Sequence, residues 1–175
     1  MSFATGIGKT LVWVTRLLQW LLAIILMGIC AWMIDQYRDG HFRVLPEVIL
    51  PEVASVLAVV FTAFSIFTIF FMGYTMQLVA CFLDFVIFVL YLASAGLLRH
   101  NFHAHRQYNP LWWSLMDVRR AQGETRHPNM TSGLVKLLVA LTVIQIILFF
   151  FTTILGFMVA SGHPDRTGRR TRHAV

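Results

Sequence analysis

Charge is what this chain most lacks. Of 175 residues, 13% are Asp, Glu, Lys or Arg, about half the share usual for a soluble domain. Lysine is nearly absent, with Lys9 and Lys136 against twelve arginines. The net charge of +6 is scattered over four polar segments, which argues against nucleic-acid binding and suits anionic lipid headgroups. Cysteine is limited to Cys30 and Cys81. They lie near opposite ends of two spans expected to run parallel, so a disulfide, which needs Cα atoms within about 7 Å, is not expected. There is no CxxC and no zinc-ligand spacing. No histidine falls inside an expected span, which leaves no ligand there for a haem or di-iron centre, and no cofactor is expected.

What is abundant is long apolar sequence: 58% of residues are hydrophobic. About 20 apolar residues cross a bilayer as a helix, and soluble core helices rarely reach that length. Four runs qualify, at about 11–34, 53–71, 78–98 and 134–159. With no long polar region between them, the chain reads as one all-α domain over 11–160, a bundle of four transmembrane helices. It is preceded by a small-residue leader, 1–10, and followed by a basic tail, 161–175. The first run exceeds a signal-peptide core and ends in no A-x-A-like site, so it reads as a span. Gly8-Lys9-Thr10 resembles the end of a phosphate-binding loop, but Phe3 stands where that motif needs glycine.

The first loop, 35–52, contains Asp35, Asp39 and Gly40 as helix breakers and Pro46 and Pro51 before the second span. In that span Ala54, Ala58 and Thr62 recur every four residues, a spacing that lets helices approach closely in lipid. Gly73 to Gln77 reads as a tight helical hairpin connection. In the second loop, 99–133, Asn109-Pro110 reads as an N-cap followed by proline at the first helical position. Leu111, Trp112, Leu115 and Met116 then share one face, opposite Ser114, Asp117 and Arg120. The spacing predicts a short amphipathic helix, with Trp112 and Trp113 at the headgroup boundary or capping the bundle. Asn129-Met130-Thr131 forms a glycosylation sequon, expected to be too close to the fourth span for modification. Arg166, Arg169, Arg170 and Arg172 are candidates for headgroup contact. Outside the spans, the terminal side carries five basic residues and the loops seven, so the positive-inside count leans weakly toward cytoplasmic loops.

The residues that stand out chemically are inside the spans. A charge in hydrocarbon is costly and normally finds a partner. Arg16 and Asp84 each lie about 8–9 Å inside the same membrane face at 1.5 Å per residue, which predicts an ion pair between the first and third spans. Arg16 can instead snorkel to the headgroups, leaving Asp84 protonated or bonded to Thr15, Gln19 or Tyr91. Gln19, Tyr91, Ser94 and Gln145 complete the candidate polar interior, and Thr142 is near the middle of the fourth span. This polarity forms a single layer, which favours a device holding helices in register over a transport path. His100, His103 and His105 are the one histidine cluster. Without acidic companions they are expected to be solvated, and neither a metal site nor a catalytic residue is assigned.

The pattern resembles the MARVEL-domain proteins, especially fungal four-span members, over residues 11–160. The resemblance rests on TRLLQWLLAIILMGICAWMI, VASVLAVVFTAFSIFTIFF, LDFVIFVLYLASAGLL and VKLLVALTVIQIILFFFTTILGF. Arg16 and Asp84 resemble the basic first span and acidic third span of plant Casparian-strip membrane proteins. The resemblance implies cytoplasmic termini and a role in organising membrane domains or trafficking, without catalysis. The implied partners are the lipid bilayer and further copies of the chain or other membrane proteins, in a plasma or secretory-pathway membrane. The loop cysteines of some junctional relatives, and those needed for a tetraspanin or claudin, are missing. The alternatives are a small membrane enzyme using His100, His103, His105 and Asp84, a small transporter, or an accessory subunit of a membrane-bound biosynthetic or transport system.

Overall fold

The computed structural model describes residues 3–71, 74–103, 105–123 and 128–161, and no strand occurs among them. The helices are α1 (Phe3–Asp39), α2 (Pro46–Phe71), α3 (Tyr74–Leu97), α4 (Pro110–Ala121) and α5 (Pro128–Ser161). Short 3-10 turns at Leu98–Asn101 and Arg106–Tyr108 lead into α4. Four stretches are long and apolar enough to cross a membrane: Val12–Asp39, Pro46–Ile66, Val79–Asn101 and Asn129–Met158. The extensive contacts run from α1 to α2, α2 to α3, α3 to α5 and α5 back to α1. The bundle is therefore a square, with α1 and α3 on one diagonal. The first and third spans, expected to share an ion pair, face each other across the centre.

Polarity is distributed inside out. Val14, Leu18, Leu21 and Ile25 on α1 are exposed, as are Val56, Val60 and Phe64 on α2 and Phe82, Phe85 and Val89 on α3. The buried positions include Ala23, Ala54, Ala58, Ser55, Thr62, Gln19 and Gln145. In water this arrangement would leave the apolar surface unpaid; in lipid the outer face needs only to be apolar, while backbones close up over small residues. Ala54, Ala58 and Thr62 all point inward.

Helix boundaries depart from the expected ones at both ends of the first loop. α1 runs past Asp35 to Asp39. It then stops in a paired turn, in which Phe42 N–H bonds Tyr37 C=O at 2.9 Å and His41 N–H bonds Arg38 C=O at 3.0 Å. This is the Schellman arrangement, whose left-handed residue is normally glycine. Here that residue is His41, with φ 58°. Gly40 is instead needed for space: a Cβ there would sit 2.8 Å from Val118 Cγ1 of α4. α2 begins at Pro46 and carries Pro51 inside it. Pro51, the sixth residue of this helix, forgoes one intrahelical bond, yet the helix continues through it and Glu52 is drawn into the span. α3 already begins at Tyr74 within the expected connection, and residues 72–73 lie outside the described ones.

α4 closes the loop end of the bundle. Leu111, Trp112, Leu115, Met116, Val118 and Arg119 are buried, against α1 and α5. The expected headgroup-facing stripe is thus largely consumed by the protein: Leu111, Leu115 and Val118 join one core with Tyr37, Val48, Leu98 and Val135. Trp112 is buried and Trp113 remains exposed. Tyr37 Oη donates to Ser114 Oγ at 2.9 Å, and Gln122 Nε2 donates to Gln36 C=O at 3.2 Å. Asn109 is the N-cap residue by position, but its side chain makes no cap bond. It donates to His103 C=O at 3.2 Å, while Asn101 Oδ1 accepts from the Leu111 amide at 2.9 Å.

The two neighbouring residues at the end of α1 should therefore respond in opposite ways. Gly40→Ala forces a methyl into Val118 and should cost about 1–3 kcal/mol. His41→Gly relieves the left-handed backbone and should add about 0.5–1 kcal/mol. Unfolding midpoints of detergent-solubilised protein, followed by circular dichroism, check both signs.

A polar layer inside the bundle as the candidate functional site

Arg16 and Asp84 are buried about one turn into the membrane from the same face. Arg16 Nη1 and Nη2 donate to Asp84 Oδ1 and Oδ2 respectively, a two-pronged ion pair. The planar fork matches the carboxylate and neutralises both charges in one contact. Because α1 and α3 sit on the diagonal, the pair passes through the bundle axis between α2 and α5.

One turn deeper, the layer continues onto α5. Gln19 Nε2 donates to Thr152 Oγ1 at 3.1 Å, and Thr152 Oγ1 in turn donates to Phe149 C=O at 3.2 Å. Gln145 Nε2 donates to the Gln19 backbone carbonyl at 2.9 Å. The two glutamines, both fully buried, therefore clasp α1 and α5, neighbours on the square. Tyr91 stacks on Phe149 with ring centroids 5.8 Å apart, linking α3 to α5. Ser94 and Thr142 bond carbonyls of their own helices, Leu90 at 2.9 Å and Leu138 at 2.8 Å. Tyr91 Oη, Gln19 Oε1, Gln145 Oε1 and Arg16 Nε are buried without a hydrogen-bond partner. Beside the layer, Cys81 Sγ lies 3.5 Å from Thr153 C=O. A Cβ on Gly156 would come within 3.0 Å of that sulfur, so α3 and α5 meet closely there.

The other candidate residues are elsewhere. His100, His103 and His105 are exposed at the loop end, whereas Asp84 is about 24 Å away along α3 from His100, at 1.5 Å per residue. The set proposed for a membrane enzyme is not brought together. Among the described residues no three His, Cys, Asp or Glu side chains gather as a metal site. Both cysteines are free, Cys30 buried and Cys81 partly so. Arg166, Arg169, Arg170 and Arg172 lie outside the described residues. In the sequon, Thr131 is buried and its Oγ1 accepts from Arg119 Nη1 at 2.9 Å.

Three participants escaped the sequence reading. Thr152 follows Gln145 by seven residues, so helical spacing alone places both on one face. Glu52 was assigned to a loop on account of Pro51, yet it lies within the second span with Oε2 buried and unpartnered. Asn101 supplies a cap to Leu111 from ten residues upstream, for which no local pattern exists.

Removing one partner of the ion pair strands the other in a low-dielectric interior. Arg16→Leu or Asp84→Asn should each cost about 3–5 kcal/mol, and the double change Arg16→Leu with Asp84→Leu distinctly less than their sum. Reversal of both charges should recover part of the loss. Folded fraction against denaturing detergent measures this, and additive single and double losses would mean that the two groups do not act as a pair.

A family model described as the MARVEL membrane-associating domain matches residues 8–159. No curated protein and no solved structure matches the chain. The match takes in all four spans, the diagonal ion pair and the capping helix. By that match and by its four apolar helices, the chain belongs to the MARVEL family and is a multi-pass integral membrane protein.

Proposed function

We propose that this protein organises membrane domains or trafficking steps by packing its helices with lipid, with copies of itself and with other membrane proteins, and that it does so without catalysis. The observation that carries the reading is the division between its inside and its outside. The charged pair ends on opposite helices, and one nitrogen of each buried glutamine ends on a neighbouring helix. Those groups are used in holding the bundle together. The outer surface of the spans is aliphatic and phenylalanine-rich, with Phe82, Phe85, Phe150, Phe151 and Phe157 exposed. Such a surface can interact with acyl chains and with other helices by dispersion and shape alone. A plasma or secretory-pathway membrane with cytoplasmic termini fits the family.

In cells, a fluorescently tagged full-length chain should collect in patches and alter the distribution of co-resident membrane proteins. Asp84→Asn should reduce the amount of folded protein, while any molecules that reach the membrane should still enter patches. Uniform distribution of the wild-type chain would defeat the proposal. So would a catalytic turnover that Asp84→Asn abolishes while assembly and placement stay normal.

A further inference from the structure

Between α3 and α5 the outer surface of the bundle is indented. A groove of about 660 Å³ lies there, lined by Val79, Phe82 and Phe85 of α3 and by Ile154 and Phe157 of α5, all of them exposed. Cys81 also lines it, where the two helices approach so closely that a Cβ on Gly156 would come within 3.0 Å of its sulfur. Toward the bilayer centre the groove is closed by Phe88, whose ring meets that of Phe150 on α5 with centroids 5.7 Å apart. In the other direction it reaches Val79, the first residue of the third span, and Phe157, four residues before α5 ends at Ser161. Its mouth is therefore at the membrane face that carries the termini.

That shape selects an occupant. From Val79 to Phe88 is about 14 Å along α3 at 1.5 Å per residue, close to half of a hydrocarbon core roughly 30 Å thick. A partner helix would cross both leaflets, and it needs small residues along the seam to approach. Here the groove stops near mid-bilayer and its sides are phenylalanine, isoleucine and valine, while Gly156 and Cys81 are already taken up between α3 and α5. An acyl chain of one leaflet matches that depth, and being flexible it can fill an irregular apolar lining by dispersion contacts.

The charge at the mouth selects the headgroup. Outside the spans, the terminal side has five basic residues, Lys9, Arg166, Arg169, Arg170 and Arg172, against one acidic side chain, Asp165. At the loop end seven arginines face six acids. Arg166 follows Ser161 by five residues. A chain spans at most about 3.3–3.6 Å per residue, so this arginine stays within about 18 Å of the end of α5, a range that takes in a phosphate at the groove mouth. We propose that the α3–α5 groove is a binding site for an anionic phospholipid of the terminal-side leaflet, with an acyl chain along the groove and the phosphate met by the arginines that follow α5. The site rests on the lipid packing proposed above and gives it a place and a chemical partner.

The test uses full-length protein in phosphatidylcholine vesicles containing a small share of photoactivatable phosphatidylglycerol or phosphatidylcholine, each with a diazirine at the same carbon of one acyl chain. After illumination, mass spectrometry locates the label. Phosphatidylglycerol should label Phe82–Phe85 and Ile154–Phe157 about threefold more than Val14, Leu18 and Leu21, exposed on α1 at similar depth. It should also exceed phosphatidylcholine about threefold within the groove, a difference that high salt suppresses. Ile154→Trp, which fills the groove from an exposed position, should remove the excess, and Leu18→Trp should leave it. R166Q/R169Q/R170Q/R172Q should equalise the two lipids. Label spread evenly over α1, α3 and α5 overturns the proposal, as does equal labelling of the wild-type groove by the two lipids or a preference that survives in the arginine variant. A groove protected from both lipids also overturns it, in favour of a protein occupant. None of these outcomes depends on patches forming in cells, so the site and the organising role fail separately.

Discussion

A guanidinium in hydrocarbon is tolerable only where its charge is met, and in this protein it is met by a single carboxylate on the helix diagonally opposite. That one contact constrains the whole bundle. For Arg16 to reach Asp84, α1 and α3 must face each other across the bundle at matched depth. The space between them must also stay narrow enough for one side chain to bridge. α2 and α5 must then enclose the pair on its two remaining sides, because water or lipid entering there would compete for both charges. The small residues of α2, Ala54, Ala58 and Thr62, and the glycine contact between α3 and α5 at Cys81 and Gly156, keep that enclosure tight. A buried pair contributes little net stability once desolvation is counted. Its stronger effect is on register: an apolar bundle slides easily, while a one-turn slip here would separate two charges.

Much of this was legible in the residues because lipid imposes simple rules. Long apolar runs become helices, and charges inside them need partners. Arg16 and Asp84 stood out because they were isolated against apolar sequence, and Gln19 and Gln145 stood out for the same reason. What the sequence could not convey was adjacency. Depth along each helix follows from counting residues, but the order of helices around the bundle depends on packing, and nothing in the Arg16 or Asp84 neighbourhood distinguishes a diagonal contact from a side-by-side one.

The boundaries that differed did so where a local rule met a tertiary contact. Pro51 signals a break, yet α2 begins five residues before it and continues through it. Gly40 signals a left-handed turn, yet the left-handed residue is His41, because the approach of Val118 reserves position 40 for a residue without Cβ. Asn109 signals a cap, yet Asn101 makes the bond since the loop folds back over the bundle end. The amphipathic stripe of α4 was readable, but its partner was not. An apolar face of that size suits lipid or protein equally, and the uncovered ends of α1 and α5 were the closer surface.

The two ends of the bundle are consequently held by different physics. At the terminal end, fixed geometry between ionised and amide groups deep in hydrocarbon sets the register and resists sliding. At the loop end, α4 is held by apolar packing reinforced by part-buried bonds from Tyr37 and Gln122, each open to competition from water, and by the buried bond from Arg119 to Thr131. A perturbation in the headgroup layer acts first on this second end. The buried pair lies about four turns away, and its energetics depend on hydrocarbon rather than on the aqueous phase. The chain thus combines a transmembrane body fixed by buried polar contacts with a loop end held mainly by apolar packing.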